Sequence, residues 1–379
     1  MNNVTPIQGV STSYAANPGT LMHASNQWAS RPDDERFLSL QDLHQHTLRQ
    51  RHGSKALGVS SRQLEVAPVD NGDMAVIGPN GNPAVLNNWS FGQLAQRAGA
   101  PAGYLRQLPA ELAADNLNYG LQHVRDVEDI GVLLTRGQTG VTELRAATGP
   151  RYGRIWNSDI VGGLVRQFGD GVSGRFKVPG EFGKDVPITK ANTTLYAGDR
   201  DMFVFLADEK NRIEIPNRRN GETGSLARGF FVWNSEVGAA TFGVATFLFD
   251  YVCMNRIVWG ARDYGEIRIR HTSGAPDRFL EQVTPALDRY ANDSTHNIVQ
   301  AISDARQARI DDVDAFLNKR FTRTQATKIK AAHLQDEGRP IETLWDVTTG
   351  VTAYAREIPN PGERVVLERA GGEILDLAR

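Results

Sequence analysis

Cysteine is nearly absent: Cys253 is the only one in 379 residues. That excludes an intramolecular disulfide framework and any Cys-x-x-Cys zinc or redox site, and it fits a reducing cytoplasm. Long hydrophobic runs are missing too, since no stretch approaches the roughly 18 apolar residues of a membrane-spanning helix. The opening "MNNVTPIQGVSTSYAANPGT" has neither the basic start nor the apolar block of a signal peptide. A formal charge of −2 excludes a polybasic chain, so any nucleic-acid surface is a local patch. No GxGxxG opens a helix after a strand, and there is no Walker A, GxSxG or HExxH. His44 and His46 do not share a helix face, and the other histidines stand far apart, so neither a metal site nor a cofactor is expected. From these absences a soluble, cytoplasmic protein is expected.

What is present suffices for a packed core, with 40% hydrophobic and 8% aromatic residues. The expected fold class is α+β: a mainly antiparallel central sheet covered by helices, with a helical C-terminal region. Four segments follow: a flexible leader at 1–30, a mixed helix and hairpin region at 31–128, a strand-rich core at 129–275 and a helical region at 276–379. In the second segment, Leu38, Leu40, Leu43 and Leu48 give a helical stripe, and Asn80-Gly81 marks a hairpin turn. Residues 90–117 read as short helices broken at Gly99 to Pro101 and at Pro109, better as an ordinary helical hairpin than as a helix-turn-helix.

The core shows short β-branched or aromatic runs between turn residues, from "GVLLTR" to "GEIRIRHT", with "YGRIW" among them. Two helices are expected to interrupt them, at 158–169 and 235–254. The second is apolar nearly all round and so buried, with Asn255 in the left-handed position at its end. Cys253 then lies in the last turn, where the negative dipole raises a thiol pKa, so a structural role is expected for it.

Three basic patches stand out. "RAATGPRYGRIWNSD" interleaves Arg145, Arg151, Tyr152, Arg154 and Trp156; on a strand, Tyr152, Arg154 and Trp156 share a face on which bases can stack. "GEIRIRHT" places Glu266, Arg268 and Arg270 opposite Ile267 and Ile269, a basic ladder suited to a phosphate backbone or to solvent. "NKRFTRTQATKIKAAH" supplies Lys319 and Arg320. Asp199, Asp201, Asp208 and Glu209 read as acidic turn residues and not as a magnesium site.

Three further stretches carry a resemblance: "ATGPRYGRIWNSDIV", "WNSEVGAATFGVATFLFDYVCMNRIVWG" and "LWDVTTGVTAYAREIPNPGERVVLERAGGEIL". They resemble the phage- and plasmid-encoded domain-of-unknown-function family 932, and "FGQLAQRAGAPAGYLRQLP" is similar to its N-terminal part. Arg256 stands where that family commonly has glycine. The resemblance implies a mobile-element origin and a life in the bacterial host cytoplasm, with no settled activity. The polar residues matching its motifs are Arg151, Tyr152, Asn157, Asp159, Asn234, Ser235, Glu236 and Asn255, either a site or a set of caps and turns.

Element order and basic strands are also similar to those of phage-type annealing proteins, which form rings on single-stranded DNA. The first expectation is therefore an oligomerising DNA-metabolism protein, an annealing or recombination accessory. It would bind single-stranded DNA through Arg145, Arg151, Arg154, Arg256, Arg268, Arg270, Lys319 and Arg320, with Tyr152 and Trp156 stacking. The second is an enzyme acting on a nucleotide or nucleic acid through Arg151, Asn157, Asp159, Asn234, Glu236 and Asn255, which would require those side chains to converge. The third is a protein-binding factor acting on a host component.

Overall fold

The structure, a computed structural model, describes residues 32–69, 73–123, 129–136, 140–180, 186–218, 221–250, 255–257, 266–292, 294–358 and 361–378. The leader at 1–30 and Cys253 lie outside the described residues.

The local signals in the N-terminal part produce the elements they predict. Helix α1 (Leu40–His52) starts at Ser39, whose hydroxyl accepts from the Asp42 amide at 3.0 Å. Strands β2 (Ser54–Ser60), β3 (Glu65–Pro68), β4 (Met74–Ile77), β5 (Pro83–Leu86), β6 (Asp129–Arg136) and β7 (Thr142–Thr148) form one sheet in the order β2-β6-β7-β5-β4-β3. All its pairs are antiparallel except β5 with β7. Gly81 at φ 72° makes the β4–β5 turn, as the Asn-Gly pair requires. Helices α2 (Asn88–Arg97), α3 (Ala102–Leu105) and α4 (Ala110–His123) bury Phe91, Leu94, Leu105, Leu117 and Leu121 against this sheet. They form the helical hairpin, with these five side chains spent on the core.

Strands β6 and β7 thus pair with β2 and β5, so residues 129–148 join the N-terminal sheet and not the strands that follow them. A larger antiparallel sheet contains β1 (Arg36–Phe37), β8 (Phe176–Lys177), β9 (Leu195–Ala197), β10 (Met202–Asp208), β11 (Ile213–Ile215), β12 (Gly224–Asn234), β13 (Phe242–Asp250), β14 (Asn255–Ile257) and β15 (Glu266–Ile269). Its spine runs β1-β9-β10-β12-β13, and β14 and β15 both pair with β13. Helix α5 (Asn157–Phe168) packs on α1, and with α6 (Ala275–Asn292) the two close one core over this sheet. Helices α7 (His296–Gln307), α8 (Val313–Asn318), α9 (Arg323–Glu337), α10 (Leu344–Arg356) and α11 (Pro361–Asp376) close a second around Trp345, joined by Leu226 and Leu248. Capping boxes at Thr322 with Gln325 and at Thr343 with Asp346 start α9 and α10. The class is mixed α+β with a helical C-terminal region, and no helix among the described residues is long and apolar enough to cross a membrane.

Two sequence expectations fail here. Of the expected helix at 235–254, residues 235–250 are a turn followed by β13 and the rest lies outside the described residues, and Asn255 begins β14 instead of ending a helix. An apolar run gives no period when both strand faces are buried: Phe242 and Val244 enter the core under α6, while Ala245 and Phe247 join Phe203, Phe205 and Phe231 on the opposite face. Glycines at 238 and 243 and the Phe and Val content then decide for strand over helix. "YGRIW" is the reverse case, an irregular segment and not a strand.

Gly243 shows how closely β12 and β13 fit, because a Cβ there would lie 2.0 Å from the Trp233 ring. Gly243→Ala is expected to cost roughly 1–3 kcal/mol by overpacking. A lowered urea midpoint at unchanged slope checks this, and an unchanged midpoint would mean the ring does not rest on the strand.

Candidate nucleic-acid interface

The β12–β13 connection, Asn234 to Gly238, is where the two sheets meet. Gly238 at φ 84° lets the chain reverse tightly. The Ser235 hydroxyl accepts from the Ala239 amide at 2.9 Å and donates to the Arg200 carbonyl at 2.6 Å, tying the turn to the β9–β10 hairpin. The Val237 carbonyl accepts from Trp89 Nε1 at 3.0 Å and Gln93 Nε2 at 2.8 Å, both on α2. Gln93 Oε1 in turn accepts from the Ala147 amide of β7 at 2.8 Å.

Glu236 sits at the middle of this joint with 1% of its surface exposed. One carboxylate oxygen accepts from Arg145 Nη1 of β7 at 2.7 Å, and the other from the Asn157 amide at the first turn of α5, also at 2.7 Å. A buried anion is thereby matched to a buried cation and to the positive end of a helix. Asn234 Nδ2 donates to Asn157 Oδ1 at 2.7 Å and to the Ile155 carbonyl at 2.8 Å. Arg154 Nε donates to the Glu236 carbonyl at 2.8 Å, and the Tyr152 hydroxyl to the Ser235 carbonyl at 2.6 Å. Burial pushes the Tyr152 phenol up and the Arg154 guanidinium down from their ordinary pKa values.

Of the motif residues read from sequence, Tyr152, Asn157, Asn234, Ser235 and Glu236 converge, into a closed knot, and Arg151, Asp159 and Asn255 do not. Arg145, Asn157, Asn234, Ser235 and Glu236 are all buried. Arg145 is removed from the proposed phosphate surface by its ion pair. Tyr152, Arg154 and Trp156 do lie together, with the Arg154 guanidinium 5.6 Å from the Tyr152 ring and 5.5 Å from the Trp156 ring. Arg51 sits 5.2 Å from Trp156 as well, so cations cover these rings and no open stacking platform forms. Asp159 stays at the surface and pairs with Arg51 at 2.5 Å. Asn255 and Arg256 are elsewhere, in register with Asp250 and Phe249 on β14.

The knot fixes the preceding turn, residues 149–152, against residues 271–273. The Gly153 amide donates to the His271 carbonyl at 3.2 Å, His271 Nδ1 donates back to the Gly153 carbonyl at 3.0 Å, and the His271 and Tyr152 rings stack at 4.8 Å. Only glycine fits at 153, since a Cβ would lie 1.8 Å from the Thr272 carbonyl oxygen. Burial lowers the His271 pKa to about 4, so the ring is neutral at pH 7. Between these segments opens a cleft of about 540 Å³, with Arg151 on the turn and Arg97 from the last turn of α2 at its rim. Arg97, Ser273 and Gly153 carried no signal in the sequence, because only the fold brings the end of α2 to this turn.

Arg268 and Arg270 are exposed, while Ile269 is buried and Ile267 partly so. Lys319 and Arg320 lie at the end of α8 on the helical layer, with Arg320 Cζ 3.8 Å from the Phe316 ring. The acidic residues 208 and 209 are ion-paired, Asp208 to Arg175 at 2.7 Å and Glu209 to Lys177 at 3.5 Å. No group of three or more metal-ligating side chains occurs among the described residues.

A mixed α+β fold whose two sheets are joined through an Asn-Ser-Glu-Val-Gly turn defines the class of protein. Residues 185–362 match the family model described as Domain of unknown function (DUF932), and the chain carries a DUF932 domain over that span. The turn at 234–238 falls inside the domain, whereas Arg145, Arg151 and Asn157 precede it. Neither a curated protein nor a solved structure matches the chain significantly.

Glu236→Leu, which leaves Arg145 buried without a counter-charge, is expected to lose about 3–5 kcal/mol of stability. Arg145→Met combined with Glu236→Leu should recover most of that loss. Urea unfolding of both variants checks this, and additive losses would show that the two groups are not coupled.

Proposed function

We propose that this chain binds single-stranded DNA and serves a mobile element as an annealing or recombination accessory. One observation carries the proposal: two basic segments far apart in sequence meet at the cleft. The Gly153 amide bond to the His271 carbonyl and the His271 side-chain bond to the Gly153 carbonyl set the Arg151 turn beside the end of β15, where Arg270 is exposed. Arg268 continues that line along the strand. Phosphates spaced along a strand suit such a row of cations.

The closed knot supports a structural role for Glu236, Asn157 and Asn234. Their lone pairs and N–H groups are largely turned on one another and not toward an open pocket. Catalysis there would need the joint between the sheets to come apart.

Fluorescence anisotropy with a labelled single-stranded oligonucleotide, titrated with salt, tests the proposal. Binding is expected to weaken steeply with salt, and Arg151→Ala with Arg270→Ala should reduce the log–log slope by about 1.4, roughly 0.7 for each phosphate no longer neutralised. No binding at low ionic strength, or an unchanged slope in the double variant, would contradict it.

A further inference from the structure

We infer that the cleft beside the 149–152 turn takes the phosphate monoester of a nucleotide, at a strand end or free, between the guanidinium groups of Arg97 and Arg151. For the strand end this rests on the proposed strand binding; for the free nucleotide it does not. The cleft has two cationic arginines on its lining and no carboxylate. Several other arginines among the described residues are committed to ion pairs: Arg145 to Glu236, Arg218 to Glu337, Arg228 and Arg175 to Asp208, and Arg339 to Asp346. Arg97 and Arg151 have no ion pair or side-chain hydrogen bond among the described residues.

The backbone is shaped for that approach. Gly149 leaves room for Arg97, whose Nη2 would stand 3.3 Å from a Cβ at that position. A volume of about 540 Å³ suits one nucleotide, within the ~300–1,000 Å³ usual for small-molecule sites. Pro150, Tyr152 and His271 also line the cleft, and Ser273 brings a hydroxyl. Because His271 is neutral, the positive charge of the cleft comes from the two arginines alone. A monoester carries about −1.5 to −2 at pH 7, more than the single charge of a backbone diester, so the pair of cations favours an end over the interior of a strand.

The test compares a 5′-phosphorylated oligonucleotide with its 5′-hydroxyl twin, and thymidine 5′-monophosphate with thymidine, on wild type, Arg97→Ala and Gly149→Val. The phosphorylated strand is expected to bind about tenfold tighter, the loss typical of a charged hydrogen-bond partner. That ratio should fall to about one in Arg97→Ala and also fall in Gly149→Val, which crowds the arginine without removing it. Thymidine monophosphate should bind and thymidine should not. Monophosphate binding with equal affinity for the two strands would support the cleft and identify a free nucleotide as its ligand. Strand binding with no phosphate preference and no nucleotide binding would overturn this inference and leave the strand-binding proposal standing. Nucleotide binding with no strand binding would do the opposite. A tenfold preference that persists in both variants would also overturn the assignment.

Discussion

The carboxylate of Glu236, buried between two sheets, is the constraint on which the rest of the architecture turns. Taking that charge out of water costs several kcal/mol, and the Arg145 guanidinium alone does not guarantee a net gain. What it does guarantee is a penalty for any arrangement in which the partners are apart. Arg145 belongs to the smaller sheet, Glu236 to the larger one and the Asn157 amide to the start of α5, so one anion fixes three elements at once. The neutral bonds around it, from Trp89 and Gln93 to the Val237 carbonyl and from Asn234 to Asn157, add direction to what the charge enforces.

From that joint the surface follows. With α5 anchored at its first turn, residues 152–156 run irregularly across the knot and Gly153 meets Thr272 at a distance no side chain permits. The turn before it then presents Arg151, and the strand before Thr272 presents Arg270. A rigid scaffold thus displays its open cations on a turn and a strand end, where a ligand reaches them without disturbing the core. Asn157, Asn234 and Glu236 hold the place, and Arg151 and Arg270 meet the solvent.

Much of this was legible in the sequence, for identifiable reasons. Asn80-Gly81 and the stripe of Leu40, Leu43 and Leu48 act locally, so the turn and the helix they mark form as read. The alternation of Ile267, Arg268, Ile269 and Arg270 reports one buried face, and the structure has it. Residues 242–250 read as helix in sequence because a strand buried on both faces has no polar positions to reveal its period. The fate of Arg145 and Tyr152 was not legible either: their partners, Glu236 and the Ser235 carbonyl, are over eighty residues away, and no spacing rule links them. Arg97 at the cleft is a product of tertiary packing alone.

Native-state hydrogen exchange in wild type and Glu236→Gln tests the central claim most directly. The Tyr152, Gly153 and Asn157 amides should be protected in wild type and exchange much faster in the variant, while the paired amides of β2 and β6 keep their protection. Equal protection of those three amides in both proteins would contradict the claim that this carboxylate holds the joint and the cleft in place.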